Sequence, residues 1–386
     1  MQWVIFFPLV LLLFNMGCIE NYKNRFTLSP DKKRIELELR ENSRNLSKCI
    51  QYFQAENGEF LAVANNLSNS VEVYNLGERK LSSEIFIKTE GEYSFYRNFG
   101  FIFKTPDSLI LISQNPQLIG IANKHGEVIR TIPYGTDTEG NRTQMTTPYS
   151  IGAQGPILEN NLLLLNQFYR ADNSNGLFTK ELQEDSYLIA EVNLKTGECR
   201  RKPLIYPEEQ IGKNIVGMYV RRVAGRDNSL VYIFSNIDGV FVTHDKARFE
   251  KRVFETNYRL KLPDRDHENI NDVQAGMSFT IAHDEIVDML YDTFRECYYV
   301  FIRKRSDDKV DAINIKFLYP DCFILILDKN LKHMGEVFLP DNTYSFKMKF
   351  ITPEGLYVSE DHLNNPSFDE NYMRFRLFKL AEITKG

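Results

Sequence analysis

Short apolar runs separated by turn residues cover the chain from about residue 35 to its end. Most runs alternate between apolar and polar positions, or stay apolar for about five to seven residues, which is typical of β-strands. No long stretch of this region keeps the 3.6-residue apolar period of an amphipathic helix. The pattern predicts an all-β protein made of short strands joined by tight turns.

An Asn or Asp opens a turn between two such runs at five places. These are Asn75, Asn123, Asn193, Asp245 and Asp328, at successive intervals of 48, 70, 52 and 83 residues. Both side chains tolerate tight turns and bond nearby backbone groups. A unit of about 50 residues therefore repeats, with about 20 and about 33 residues added in two copies. That length is typical of a four-stranded propeller blade.

A second repeat supports the same architecture. FKTPDSL at residues 103–109 returns as FITPEGL at residues 350–356, with a proline that sets a turn between two strands. The chain can be divided into six units, which are Ile50–Lys88, Asn98–Pro133, Tyr149–Tyr206, Tyr219–Thr256, Ile286–Pro340 and Ser345–Leu380. The sequence therefore predicts a six-bladed β-propeller.

The last of these units has only three predicted strands. Apolar Ile35, Leu37 and Leu39 alternate with charged residues in a strand that belongs to no hairpin. We expect this N-terminal strand to complete the last blade, because closing the ring removes its open edges. An isolated edge strand, or a small separate N-terminal sheet, would fit the same pattern.

The first 17 residues are typical of a signal peptide. Trp3–Phe14 is an apolar run that is too short to span a bilayer of about 30 Å but long enough for a signal-peptide core. Gly17 before Cys18 resembles the lipobox of bacterial lipoproteins, with Asn15 where that motif usually has an aliphatic residue. A plain secretory peptide is the alternative.

We expect cleavage before Cys18, lipidation of that cysteine, a tether over residues 18–31 and the propeller over residues 32–386. The membrane is then a partner through the lipid anchor. The expected location is the cell envelope, at the outer membrane, on its periplasmic or its surface side.

The cysteines are too few and too scattered for a disulfide scaffold. Beyond the predicted lipidation site they are Cys49, Cys199, Cys297 and Cys322. A bridge between Cys297 and Cys322 on neighbouring strands is one reading, and buried free thiols are the other.

The composition argues against only one class of partner, which is nucleic acid. The 386 residues carry 47 Lys plus Arg against 52 Asp plus Glu, a net charge of -5, so nothing favours electrostatic binding of nucleic acid. Apolar residues at 43% and charged residues at 26% describe an ordinary globular chain.

Long connections are predicted to collect on one face of the propeller. Some join consecutive blades and the others join second to third strands, and in a four-stranded blade both kinds lie on the same face. They are Pro133–Pro148, Asn257–Glu285, Arg170–Ser186, Lys304–Asp321 and Glu360–Asn371. Binding residues often sit on long loops held by a rigid scaffold. Insertions that accumulate where they do no harm would give the same distribution.

Basic and aromatic residues are predicted to ring the channel mouth on that face. The candidates at the starts of inner strands are Tyr96, Arg97, Tyr149, Tyr219, Arg221, Arg222, His283 and Tyr344. Such a rim would suit an anionic ligand or a sugar, because guanidinium groups bond anions in pairs and Tyr offers a flat surface with a polar tip. Structural roles within strands are the alternative for most of this set.

No catalytic or metal-binding motif is found. His283, Asp284, Glu285 and Asp288 lie close together, but they lack the HExxH spacing of a zinc site. The following turn is explained without function if Asp292 caps it and Arg295 pairs locally. The chain also has no GxxxxGK, GxGxxG, GxSxG or CxxC motif. We therefore predict no catalytic residue, no metal and no cofactor.

The chain resembles a family of Bacteroidetes-type lipoproteins that is classed only as a domain of unknown function. The resemblance rests on Cys18, on the six-unit repeat, and on His283 followed by YDTFRECYY. The motif positions are Tyr291, Asp292, Arg295, Tyr298 and Tyr299, and a basic residue expected after the YY pair comes only at Arg303, with Val300 in its place. The resemblance implies a six-bladed propeller of the TolB or NHL type and implies no activity.

Two functions of different class remain open. In the first, a lipid-anchored envelope protein binds a glycan, a small anion or an envelope protein through its long-loop face, without chemistry. In the second, a propeller hydrolase or lactonase holds a divalent ion in its central channel. The second needs three or four inward Asp, Glu, Asn or His side chains at strand starts. Those starts are mostly Tyr and Arg, which favours binding.

Overall fold

Six antiparallel sheets with sequential strand order form a six-bladed β-propeller in the computed structural model. It describes residues 24–47, 49–88, 95, 99–105, 107–146, 155–169, 177–213, 219–263, 278–306 and 321–383. The predicted fold class is confirmed. Within these residues, no helix has the length and apolar character that crossing a membrane requires.

Five blades are built from consecutive strands. Blade 1 holds β2 (Ile50–Ala55), β3 (Gly58–Asn65), β4 (Ser70–Asn75) and β5 (Lys80–Phe86). Blade 2 holds β6 (Phe99–Thr105), β7 (Ser108–Gln114), β8 (Gln117–Asn123) and β9 (Val128–Pro133). Blade 3 holds β10 (Met145–Thr146), β11 (Ile157–Glu159), β12 (Leu162–Phe168), β13 (Ile189–Asn193) and β14 (Cys199–Arg201). Its inner position is shared, because β10 and β11 both pair with β12.

The remaining strands complete the ring. Blade 4 holds β15 (Val220–Ala224), β16 (Leu230–Phe234), β17 (Val240–Thr243) and β18 (Glu250–Arg252). Blade 5 holds β19 (Glu285–Asp292), β20 (Cys297–Arg303), β21 (Cys322–Asp328) and β22 (His333–Phe338). Blade 6 holds β23 (Ser345–Thr352), β24 (Gly355–Ser359), β25 (Tyr372–Glu382) and β1 (Phe26–Glu38). Helical turns are α1 (Lys180–Glu184), Glu208–Gln210 and Arg226–Asn228.

The N-terminal strand closes the ring, as the sequence predicted. β1 pairs antiparallel with β25 from Phe26 opposite Glu382 to Glu38 opposite Tyr372, with a bulge between Pro30 and Arg34. The strand also takes in residues 26–31, which the sequence assigned to the tether. One continuous chain therefore contributes both its first and its last described strand to the same blade.

The five Asx residues of the repeat all begin the turn between the third and fourth strands of a blade. Asn123 Oδ1, for example, accepts hydrogen bonds from the backbone N–H of His125 and Glu127, at 2.9 and 3.1 Å. Asp328 Oδ1 does the same for Asn330 and Lys332. Blade 6 lacks this turn because its fourth strand comes from the other end of the chain. Six blades with only five such turns are therefore expected when the two ends of the chain share one blade.

The hydrophobic core consists of six clusters, one at each junction between blades. In β20, Tyr298, Val300 and Ile302 pack toward blade 4, and the alternate residues Tyr299 and Phe301 pack toward blade 6. Middle strands are thus buried on both faces, which explains why their sequences are continuously apolar. Each large side chain buried in this way contributes about 1.5–3 kcal/mol.

All four described cysteines are buried free thiols. Cys297 lies opposite Asp328 and Cys322 lies opposite Arg303, so the two cysteines occupy opposite ends of the β20–β21 pair, about 20 Å apart. That distance excludes a bridge between them. Burial raises the pKa of the Cys49 and Cys297 thiols to about 11 and of Cys199 and Cys322 to about 12.

Replacement of a core residue of β1 tests the closure. Leu37 is fully buried in the cluster between blades 6 and 1, whereas its neighbour Glu38 is exposed. We expect Leu37→Ala to lower the free energy of unfolding by about 2–5 kcal/mol, and Glu38→Ala to change it by less than about 0.5 kcal/mol. Urea unfolding measures both. Equal small effects would mean that β1 is not part of the closed ring.

Candidate binding face

The two ends of the propeller differ in the length of their connections. We call the end that carries the first-to-second and third-to-fourth strand turns the short-turn face, and the opposite end the long-loop face. The connections of more than ten residues follow β5, β9, β12, β14, β18, β20 and β24, and strand direction brings all seven to the long-loop face. The predicted sorting of the long segments is therefore seen in the strand topology.

Exposed apolar side chains also concentrate on the long-loop face. Of the ten large hydrophobic residues that are exposed in the described part of the chain, seven lie there. They are Leu67, Phe86, Leu177, Tyr219, Val253, Phe338 and Leu363. The other three are Ile129, on an outer strand, and Phe294 and Ile383, at the short-turn face. Blades 1, 3, 4, 5 and 6 all contribute to the seven, so they spread around the ring.

Exposed Tyr219 and half-buried Arg221 lie together at the predicted channel rim. Tyr219 stands just before β15 and is 54% exposed, and the Arg221 guanidinium carbon lies 5.5 Å from the centre of its ring. A cation placed over an aromatic face at this distance is attracted by the ring quadrupole. Arg97, Tyr149 and also Tyr96 lie outside the described residues.

Arg222 points to the opposite side of β15 from Arg221. It is 2% exposed, and its guanidinium donates a hydrogen bond of 2.8 Å to the Leu164 carbonyl of blade 3. Successive side chains in a strand face opposite sides of the sheet, so two neighbouring arginines cannot share one surface. Arg222 contacts the neighbouring blade rather than solvent.

His283 and Tyr344 also make contacts within the protein. The His283 Nδ1 atom lies 2.8 Å from the Phe279 carbonyl oxygen, and the two rings are 4.3 Å apart. Tyr344 packs its ring against Phe378 at 5.2 Å, and burial raises the pKa of its phenol. Both side chains are half-buried at the long-loop end of blades 5 and 6.

Asp284, next to His283, ties two connections of blade 5 together. This fully buried carboxylate accepts hydrogen bonds from the Tyr258 hydroxyl at 2.9 Å, the Lys261 backbone N–H at 2.6 Å and the Arg305 guanidinium at 2.6 Å. The sequence grouped Asp284 with its acidic neighbours but could not identify these partners, because they lie 21 to 26 residues away. Its role is to order the long-loop end of the blade.

A buried ion pair links the inner strands of blades 5 and 6. Asp288 on β19 and Lys349 on β23 are both fully buried and joined by a direct hydrogen bond. The pKa of the Lys349 amine is lowered, mainly because the amine is buried. The Asp288 carboxylate opposes this shift, whereas the positive charge of Arg221 adds to it. The positive charges of Arg221 on blade 4 and Lys349 on blade 6 are therefore close enough to repel each other. Lys349 was not among the residues predicted from the sequence, although two lysines alternate with apolar residues in the run FKMKF at residues 346–350.

A cavity of about 240 Å³ opens between blades 6 and 1 at the long-loop face. We call it the seam cavity, and its polar lining comes from Arg44, Ser47, Asn65, Asn66, Glu72 and Lys347. Burial lowers the pKa of the Lys347 amine. The volume equals that of about eight water molecules in the liquid, enough for a small organic molecule.

The motif residues hold a hydrogen-bonded turn at the short-turn face. We call this group the fastener, and its members are Tyr291, Asp292, Arg295, Tyr298 and Tyr299. Asp292 Oδ1 accepts the backbone N–H groups of Phe294 and Arg295, both at 3.0 Å, and Asp292 Oδ2 accepts from the Arg295 guanidinium at 2.8 Å and the Tyr299 hydroxyl at 3.0 Å. The rings of Tyr291 and Tyr298 lie 4.6 Å apart. The capping by Asp292 and the local pairing of Arg295 occur as the sequence predicted.

Arg295 extends the fastener to the next blade. Its guanidinium donates to the carbonyls of Thr352 and Pro353, at 3.2 and 2.6 Å, in the inner hairpin of blade 6. The delayed basic residue, Arg303, pairs with Glu285 at 3.0 Å and donates to the Thr280 carbonyl, which holds the segment before β19. The motif therefore joins blades 5 and 6 on the face opposite the long loops.

The described residues contain no group of three or more His, Cys, Asp or Glu side chains placed to hold a metal ion.

Single and double replacements test the buried ion pair. Lys349→Met leaves the Asp288 carboxylate buried without its cation, so we expect it to lower the free energy of unfolding by about 3–5 kcal/mol. Adding Asp288→Leu removes the unpaired buried carboxylate and should recover most of the lost free energy of unfolding. Denaturant unfolding measures both variants. A loss below about 1 kcal/mol for Lys349→Met would contradict the burial described here.

The fastener can be tested with two replacements at one position. Asp292→Ala removes both the cap and the charge partner of Arg295, and should cost about 3 kcal/mol. Asp292→Asn keeps an oxygen for the cap and should cost clearly less. Thermal unfolding compares them. If both variants unfold like wild type, the motif does not hold the two blades together.

Comparisons with known proteins identify the family. The family model described as "Domain of unknown function (DUF4221)" matches residues 22–337. A DUF4221 member from Bacteroides vulgatus superposes with a TM-score of 0.81 at 23% identity, covering 93% of this chain and 99% of that one. A candidate exported protein of Bacteroides fragilis has a TM-score of 0.49 at 12% identity, covering 94% of this chain and 98% of that one. No curated protein matches the chain. The resemblance drawn from the sequence is confirmed, and because the match covers more than half of its residues, the protein belongs to the DUF4221 family of unknown function.

Proposed function

We propose that this propeller is a lipid-anchored protein of the cell envelope that binds a protein partner through its long-loop face, without catalysing a reaction. The observation that carries the proposal is the uneven distribution of exposed apolar side chains, seven of ten of which lie on that face among the described residues. Exposed apolar groups that are rimmed by polar residues are typical of protein interaction sites.

The spread of these side chains favours a large partner. Leu67 and Phe86 belong to blade 1, Tyr219 to blade 4 and Leu363 to blade 6, so a small ligand could not cover more than a few of them. A standard protein interface covers about 800 Å² on each side, far more than a small ligand can contact. Four of the seven are aliphatic, and aliphatic side chains offer little to the hydroxyl groups of a glycan.

Tyr219 and Arg221 are expected to be the centre of the interface. Tyr and Arg are over-represented among the residues that contribute most to binding, because both bury a large area and keep polar contacts. Their mutual stacking also orders the two side chains before the partner arrives.

The cellular location follows from the N-terminal segment. A signal-peptide core and Cys18 in a lipobox-like setting support export and lipidation. A covalent lipid would keep the propeller at a membrane surface, where a second envelope protein can meet its long-loop face.

Photo-crosslinking in intact cells tests the proposal. A photoreactive amino acid is placed at Tyr219 or Leu363 on the long-loop face, and at Lys195 or Ile129 as controls, all of which are exposed. We expect one discrete protein adduct from the first pair and none from the second. The same adduct from both pairs, or none from either, would contradict the proposal.

An arginine replacement measures the contribution of the rim. Arg221→Ala in the chain with the photoreactive group at Leu363 should weaken binding by about 2 kcal/mol, about 30-fold in Kd, and lower the adduct yield. Arg221→Lys, which keeps the charge but not the planar group, is the matched control and should recover part of the yield. A thermal shift with a glycan or small anion that disappears in Arg221→Ala would overturn the assignment to a protein.

A further inference from the structure

We propose that the short-turn face of this protein lies against the lipid bilayer and that the long-loop face points away from it. The proposal rests on the lipid anchor at Cys18 that is part of the proposed function, and it adds the orientation of the domain on the membrane. It follows from the direction of β1, the position of its first residue and the length of chain before it.

The direction of β1 places the N-terminal end of the propeller at the short-turn face. β25 starts at Tyr372, after the long connection over residues 360–371, and runs from the long-loop face to the short-turn face. β1 is antiparallel to β25, with Phe26 opposite Glu382 and Glu38 opposite Tyr372. Phe26 therefore lies at the short-turn face, and the chain reaches the long-loop face only at the end of the strand.

The start of β1 is held firmly at the edge between blades 5 and 6. The Arg25 backbone N–H donates to the Met334 carbonyl at 2.8 Å, and the Arg25 carbonyl accepts from the Ile383 backbone N–H at 2.7 Å. A Cβ atom on Gly335 would lie 2.0 Å from the Phe26 carbonyl oxygen, so the two strands approach as closely as glycine allows. The anchor therefore pulls on a fixed point of the rigid scaffold.

The short chain before this point makes the opposite orientation hard to reach. Arg25 lies seven positions after Cys18, and this stretch spans about 25 Å at full extension. The blades are themselves about 20–25 Å tall, because their longer strands have seven or eight residues. The long-loop face could therefore reach the bilayer only if this whole stretch ran fully extended along the height of the blade, whereas the short-turn face needs no such extension.

Exposed apolar residues at the short-turn face supply a second, independent observation. Phe294 and Ile383 are 49% and 44% exposed at that face. They belong to the turn after β19 and the end of β25, on the same two blades that flank the start of β1. The anchor would therefore bring two apolar side chains to the headgroup region of the bilayer, where such groups are stabilised.

The charges of this face are balanced and do not oppose the approach. Lys329 pairs with Glu296 at 3.1 Å, and Lys33 of β1 pairs with Glu354. Paired charges create no strong field of one sign, so contact with the bilayer should depend little on anionic lipid.

Fluorescence quenching on vesicles tests the orientation with the full lipidated chain. Single cysteines are introduced by Phe294→Cys or Lys195→Cys on the short-turn face and by Leu67→Cys or Leu363→Cys on the long-loop face, and each is labelled with a fluorophore. The four native thiols are buried with raised pKa values, so they stay unlabelled near pH 7. The protein is placed in phosphatidylcholine vesicles that carry a nitroxide on the headgroup.

We expect labels on the short-turn face to be quenched several-fold more than labels on the long-loop face, and position 294 to be quenched most. Equal quenching at the two faces, or stronger quenching at positions 67 and 363, would overturn the proposal. Mass spectrometry of the same sample reads the acylation of Cys18 separately. An acylated chain with the wrong quenching pattern disproves the orientation alone, whereas an unmodified Cys18 disproves the anchor on which both proposals depend.

Discussion

The pairing of β1 with β25 is the interaction on which the rest of the structure depends. It joins residues that are more than 300 positions apart in sequence and turns an open row of five blades and a three-stranded remainder into a closed ring of six four-stranded blades. The closing strand also completes the apolar cluster between blades 6 and 1 through Leu37 and Ile35. Loss of this pairing would therefore remove Leu37 and Ile35 from that cluster and leave the edge of β25 unpaired.

The two ends of the propeller differ in their connections. On the short-turn face, Asx side chains and the Asp292–Arg295 fastener bond the turns tightly to the scaffold. The long-loop face carries seven long connections, most of the described exposed apolar residues, and the seam cavity. Rigid support at one end and variable surface at the other is the arrangement in which propellers and other repeat scaffolds carry binding sites. The N-terminal chain leaves from the rigid end.

The sequence predicted the features that repeat at a regular interval along the chain. Asn75, Asn123 and their equivalents recur because every blade needs the same turn, and the alternation of Ile35, Leu37 and Leu39 was sufficient to assign a strand to the last blade. Pairings between distant residues have no such signal. The Asp288–Lys349 ion pair joins positions 61 apart, and the partners of Asp284 come from two connections that no local pattern relates. The rim was predicted only in part, since Arg221 and Arg222 project to opposite sides of one strand.

Amide hydrogen exchange of the full-length lipidated protein, compared between vesicles and detergent, tests most directly the claim that closure by β1 gives the two faces separate roles. The account predicts slower exchange on vesicles at the short turns of blades 5 and 6, over residues 293–296 and 354–355, and unchanged exchange at residues 66–69 and 360–371. Slower exchange at residues 66–69 and 360–371, with no change at the short turns, would contradict it.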